Sequence, residues 1–232
     1  MASATASAAE AATMPACSIA GLPPAACIKI HARARARGGR KLFNAARARR
    51  ARMSLVVTGS PGVGKHTIAE ALGREAGLDV IDANGVASRA GLVGERGEVD
   101  VARLAPELEG LASEGTLVVG HLAPYALPAA AVAAAVVIRR SPYELEGVYA
   151  GRRYPREKAL DNLGAEILGV IAADAVWAFG GAAVRQVDAT GRGPAEAAAL
   201  ARRALEGTYA GDEVDWLAEV GARGDVRRFF EH

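Results

Sequence analysis

The segment Leu55-Val56-Val57-Thr58-Gly59-Ser60-Pro61-Gly62-Val63-Gly64-Lys65-His66-Thr67 passes from a β-branched apolar run, through a glycine-rich turn, into a lysine at the head of a helix-forming stretch, Thr67 to Glu75. Strand, loop and helix in that order are the context a P-loop requires. Glycines 59, 62 and 64 let backbone N–H groups turn inward around phosphates. The helix N-terminus adds its dipole, and Lys65 brings a mobile cation to charge that builds during phosphoryl transfer. The loop departs from the usual pattern at one place: His66 follows the lysine, and the hydroxyl that commonly binds Mg²⁺ comes one residue later, at Thr67. Imidazole is a poor ligand for a hard cation. His66 is therefore expected at a phosphate; either Thr67 or a water takes the metal, or ATP itself mainly holds it.

Downstream, apolar strand-like runs alternate with helical patterns. Strands are expected at 77–82, 116–120, 134–138 and 184–187, with helices over 84–92, 104–111, 142–150, 158–179 and 194–206. With the first strand this makes five strands alternating with helices, an α/β chain with a mostly parallel sheet. His121 follows the third strand directly, where doubly wound sheets bind ligands. Arg139 and Arg140 end the fourth strand. Gly151-Arg152-Arg153-Tyr154-Pro155-Arg156-Glu157-Lys158 is a basic loop with Gly and Pro hinges, suited to a lid that closes on phosphates and expels water. Trp177 and Trp216 read as packing residues. The apolar run 126–138, broken by Pro128 and ended by Arg139-Arg140, fits a buried element better than a membrane span, which needs roughly 20 apolar residues.

The net charge of +2 hides two segments of opposite character. Residues 1–52 hold ten basic side chains and one acidic one, a net of +9, which leaves −7 for residues 53–232. Residues 1–52 are rich in Ala, Ser and Arg, with the alternation HARARARGGR at 31–40, and show no apolar periodicity. Three readings compete: a transit peptide, a basic arm for nucleic-acid phosphates, or a start assigned too early, with Met53 the true first residue. Both cysteines, Cys17 and Cys27, lie there, so the main domain, 53–210, has neither a disulfide framework nor a Cys-based zinc site. Residues 211–232 form a charged tail carrying Trp216, Leu217, Phe229 and Phe230.

The ordered pieces GSPGVGK at 59–65, the strand-end His121, and Arg152, Tyr154, Lys158, Asp161-Asn162 and Glu166-Ile167 at matching spacings resemble the adenylate kinase isoenzyme 6 family over about residues 56–205. The resemblance implies a three-layer P-loop NTPase fold, with a short NMP-binding flap at about 82–105 and a short lid at about 151–161. It implies ATP with Mg²⁺, bound by Gly62, Gly64, Lys65, His66, Thr67 and Arg152. Catalytic roles fall to Lys65, His121 and Arg152, and NMP contacts to Asp82, Arg89 and Arg139. The implied activity is γ-phosphoryl transfer from ATP to AMP, with ATP hydrolysis, linked to small-ribosomal-subunit maturation through the ribosomal protein uS11. The chain departs from the eukaryotic members at Val119, where they carry an acidic residue, at Asn84-Gly85 and at Val148.

The acidic main domain suits a basic protein partner and disfavours direct nucleic-acid binding. No Asn-Lys-x-Asp guanine-reading motif exists, which argues against a GTPase. A small-metabolite P-loop kinase is the alternative. The expectation is a cytoplasmic, monomeric enzyme without a membrane anchor.

Overall fold

The computed structural model describes residues 53–95 and 97–230. The three readings of residues 1–52 lie outside the described residues. Five strands, β1 (Ser54–Thr58), β2 (Asp79–Asp82), β3 (Thr116–Val119), β4 (Val132–Arg139) and β5 (Val184–Asp188), pair in the order β2-β3-β1-β4-β5. Every pairing in this sheet is parallel. Such a sheet must be covered on both faces, and strand periodicity shows how. Val57, Leu117, Val119, Val136 and Ile138 face one core, while Val56, Val118, Ala135 and Val137 face a second. Each fully buried strand valine contributes roughly 1.5–3 kcal/mol by leaving water.

The first core is covered by α1 (Lys65–Ala76) and α8 (Pro194–Leu205). The second is covered by α2 (Ala83–Arg89), α3 (Val101–Leu111), the short α4 (Ala123–Ala126) and α7 (Val170–Phe179). With helices on both faces of a parallel sheet, the three-layer P-loop architecture is observed. The chain leaves β1 toward β2 on one side and passes from β4 to β5 on the other, so the winding reverses around β1. Ligand crevices form at the carboxyl ends of such strands.

Two expectations are corrected. The single helix over 158–179 is two helices, α6 (Arg156–Ile167) and α7, bent by 54°. Gly169 adopts a left-handed φ of 66° at the break, and an added Cβ there would meet the Arg139 guanidinium. Between α5 (Pro142–Gly151) and α6 only Arg152 to Pro155 are non-helical, so the expected lid span of 151–161 includes the first turns of α6. Trp177 is not a packing residue; it is 89% exposed, because α7 turns that face outward. Trp216 does pack, on α9 (Trp216–Ala222).

The tail folds onto the core. Trp216, Val220 and Phe229 are buried in the first core, the last on α10 (Val226–Phe230), where its ring meets Tyr143 edge to face. Among the described residues no single helix is long and apolar enough to cross a membrane.

Candidate active site

At the carboxyl end of β1 the chain turns at Gly59 (φ 139°), where a Cβ would strike the carbonyl of Ile138 on the neighbouring strand. Only glycine permits that approach. The loop then closes on Gly64, which caps α1 without a side chain, and the first turn of α1 carries no acidic residue. The positive end of the helix is left for an anion.

A cavity of about 420 Å³ opens above this turn, lined by Pro61, Gly62, Gly64, Lys65, His66 and Thr67 from the loop, His121 from the turn after β3, and Asn84 from the first turn of α2. Gly97, Arg152, Tyr154, Lys158 and Asn162 complete it. Every residue expected to bind ATP or act in catalysis lines this one space. Lys65 is buried and donates to the carbonyl of Ser60 at 3.1 Å. Burial, reinforced by the nearby Arg152 charge and opposed by Asp82 and Glu166, lowers its pKa to about 8. His121 is held below its ordinary value by burial first, then by Lys65 and His66, so it is a neutral imidazole at pH 7. Burial and Lys65 lower His66 in the same direction.

The expected NMP contacts are placed differently. Asp82 caps α2, accepting from the Asn84 N–H at 3.0 Å, and its charge is felt by Lys65 and both histidines from beside the cavity. Arg89 is exposed at the far end of α2 and does not line the cavity. Arg139 lies apart from the cavity. It is buried, and its Nε donates to Glu166 at 2.7 Å and its Nη1 to Gln186 at 2.5 Å. Its guanidinium is occupied by Glu166 and Gln186.

Tyr154, Lys158, Asn162 and Asn84 line the cavity without having been assigned a role from the sequence. For the first three the signal was spacing: Tyr154, just ahead of α6, and Lys158, Asn162 and Glu166 on it stand four apart, a polar stripe on a face that should otherwise be apolar. The Lys158 ammonium lies 4.9 Å from the centre of the Tyr154 ring, which is itself stacked on Tyr149 at 5.3 Å. Lys65, Arg152 and Lys158 thus place three cationic side chains on one polyanion-sized space.

The sheet order, the cradle and the converging cations define a P-loop kinase. No family model matches the chain. It is 37% identical to a protein of Methanothermobacter thermautotrophicus named "Putative adenylate kinase" over 161 residues, which is 66% of this chain and 90% of that one. A protein of the same name from Archaeoglobus fulgidus is 33% identical over 74% of this chain and 96% of its own. The chain belongs to the adenylate kinase-like family of these archaeal proteins. Solved structures similar to it include a gluconokinase from Sinorhizobium meliloti (18% identity, TM-score 0.42, 79% of this chain and 99% of that one). A shikimate kinase from Aquifex aeolicus is similar at 18% identity and a TM-score of 0.44, over 67% and 97% of the two chains. Both are distant likenesses.

Proposed function

We propose that the protein transfers the γ-phosphoryl group of ATP to AMP, giving two ADP, and hydrolyses ATP at the same site. The observation that supports this reading is the single cavity in which the P-loop, the strand-end His121 and the lid residues Arg152 and Lys158 meet. Phosphoryl transfer demands positioning and charge neutralisation, with little covalent chemistry for the protein to perform. The loop N–H groups and Lys65 hold the β- and γ-phosphates. Arg152, at the lid turn, neutralises charge that develops on the transferred group. Neutral His121 orients a phosphate oxygen or the attacking water.

Mg²⁺ fits the oxygen donors present, the Thr67 hydroxyl in the cavity and the Asp82 carboxylate beside it, with waters and ATP oxygens completing the shell. Bound there, it would neutralise charge between the β- and γ-phosphates. Val119, buried within β3, offers no ligand.

The family resemblance and the −7 charge of residues 53–232 support a role in small-ribosomal-subunit maturation, with the basic ribosomal protein uS11 as partner, in a cytoplasmic monomer. AMP-dependent ADP formation with a panel of phosphoryl acceptors tests the reaction. A preference for a small metabolite over every nucleoside monophosphate refutes it. Pull-down of uS11 with and without ATP tests the partner.

A further inference from the structure

The Glu166 carboxylate is 1% exposed and gathers four donors. One oxygen, Oε1, accepts from Arg139 Nε at 2.7 Å, the Arg140 backbone N–H at 3.1 Å and Trp216 Nε1 at 3.2 Å. The other, Oε2, accepts from the hydroxyl of Ser60, inside the P-loop, at 2.5 Å. The carbonyl of that same serine receives the Lys65 ammonium.

We propose that Glu166 is a positioning residue for phosphoryl transfer: through Ser60 it fixes the peptide whose carbonyl holds Lys65, and so sets where the P-loop cation stands. Three observations carry this. The carboxylate is presented by α6, whose preceding turns bring Lys158 and Asn162 to the cavity, so one rigid helix places both the lid cations' neighbour and the loop's anchor. Its second oxygen is committed to the loop while the first is committed to the scaffold, which makes it a bridge rather than a closed ion pair. The bridge extends to the tail, because Trp216 holds the carboxylate from α9. Arg152, Asp82 and Glu166 all act on Lys65 by charge, and the Glu166 carboxylate among them is held by four hydrogen bonds.

The inference rests on the P-loop transfer reading, and the experiment separates the two. Ser60→Ala removes the hydroxyl yet leaves the Arg139–Glu166 pair, so it should fold; Ser60→Thr restores a hydroxyl; Glu166→Gln keeps the shape. With ATP and AMP, Ser60→Ala is expected to lower kcat by between about 10-fold and 100-fold, the cost of a small misplacement at the reacting centre. The KM for ATP should change less than about threefold, and Ser60→Thr should recover most of the loss. In parallel, acylation of Lys65 by acetic anhydride at one fixed pH, read by peptide mass spectrometry against Lys158, requires no turnover. Its rate relative to Lys158 should change in Ser60→Ala and Glu166→Gln as the lysine leaves its carbonyl, and return to the wild-type value in Ser60→Thr. Unchanged Lys65 acylation in both variants overturns the proposal, whether or not the protein phosphorylates AMP. So does a Ser60→Ala enzyme with wild-type kcat. A wild-type protein inactive on every acceptor, with the acylation pattern as expected, overturns the transfer reading alone.

Discussion

The Tyr149 hydroxyl donates to the carbonyl of Pro61 at 2.6 Å, tying the end of α5 to the crown of the P-loop. The same ring stacks on Tyr154 at an interplanar angle of 4°, so the loop, α5 and the lid turn are braced together. Replacing Tyr149 with Phe keeps the stack and removes the hydrogen bond. The expected loss is about 1–3 kcal/mol of stability, since the Pro61 carbonyl is left without its partner. Urea denaturation with an unchanged m-value checks this, and ATP affinity should fall with it.

Arg152 lines the cavity from the turn after α5, where its charge can act on the transition state. Arg152→Ala is expected to lower kcat by on the order of 10³-fold, with a much smaller change in KM. Steady-state kinetics with saturating ATP reads the split.

Neutral His121 should matter more to water than to AMP as the acceptor. His121→Ala is expected to reduce ATP hydrolysis by about 10²-fold, the scale of a positioned acid–base group, and AMP phosphorylation less. Equal losses in the two assays remove the distinction.

Lys65 links the site to pH in two ways. In the free enzyme it carries its proton only below about pH 8, so kcat/KM for ATP should fall as pH rises through that value. Stability runs the other way. Between about pH 8 and its ordinary 10.5, the unfolded chain keeps this proton while the folded chain has released it. The unfolded state then binds more protons, and this group's contribution to stability rises with pH across that window. The buried charge is a burden below pH 8, and Lys65→Met should stabilise the fold most there. The difference in Tm between variant and wild type should shrink as pH climbs from 8 to 10.5.

The tail is part of the folded unit. Phe229→Ala is expected to cost about 3–5 kcal/mol, the usual price of an aromatic ring removed from a core. A chain ending before residue 211 should lose more than that, because Trp216 and Val220 leave with it. Denaturant midpoints of the two variants measure both.

Much of this was legible in local pattern. Continuous apolar, valine-rich runs announced β1, β3 and β4, because strands buried on both faces have no polar side. The loop was legible because phosphate binding restricts backbone and side chain together at Gly59, Gly64 and Lys65. What stayed hidden depended on tertiary placement. Arg139 at a strand end looks like a phosphate ligand until Glu166, 27 residues on, is brought against it. The break at Gly169 hid within an apolar run whose helical propensity is continuous on either side. Trp177 looked like core because an indole seldom sits in water, and only the bend between α6 and α7 shows which way it faces. The docking of Phe229 needed Tyr143, from a distant part of the chain, to become visible.

The two tryptophans now occupy opposite optical environments. Trp177 emits from solvent and should be quenched readily by acrylamide or iodide, while Trp216, shielded and bonded to Glu166, should resist both. In a Trp177→Phe background the remaining indole becomes a single fluorophore, one carboxylate away from the phosphate loop. The protein thus carries its own spectroscopic window on whether that loop moves when nucleotide arrives.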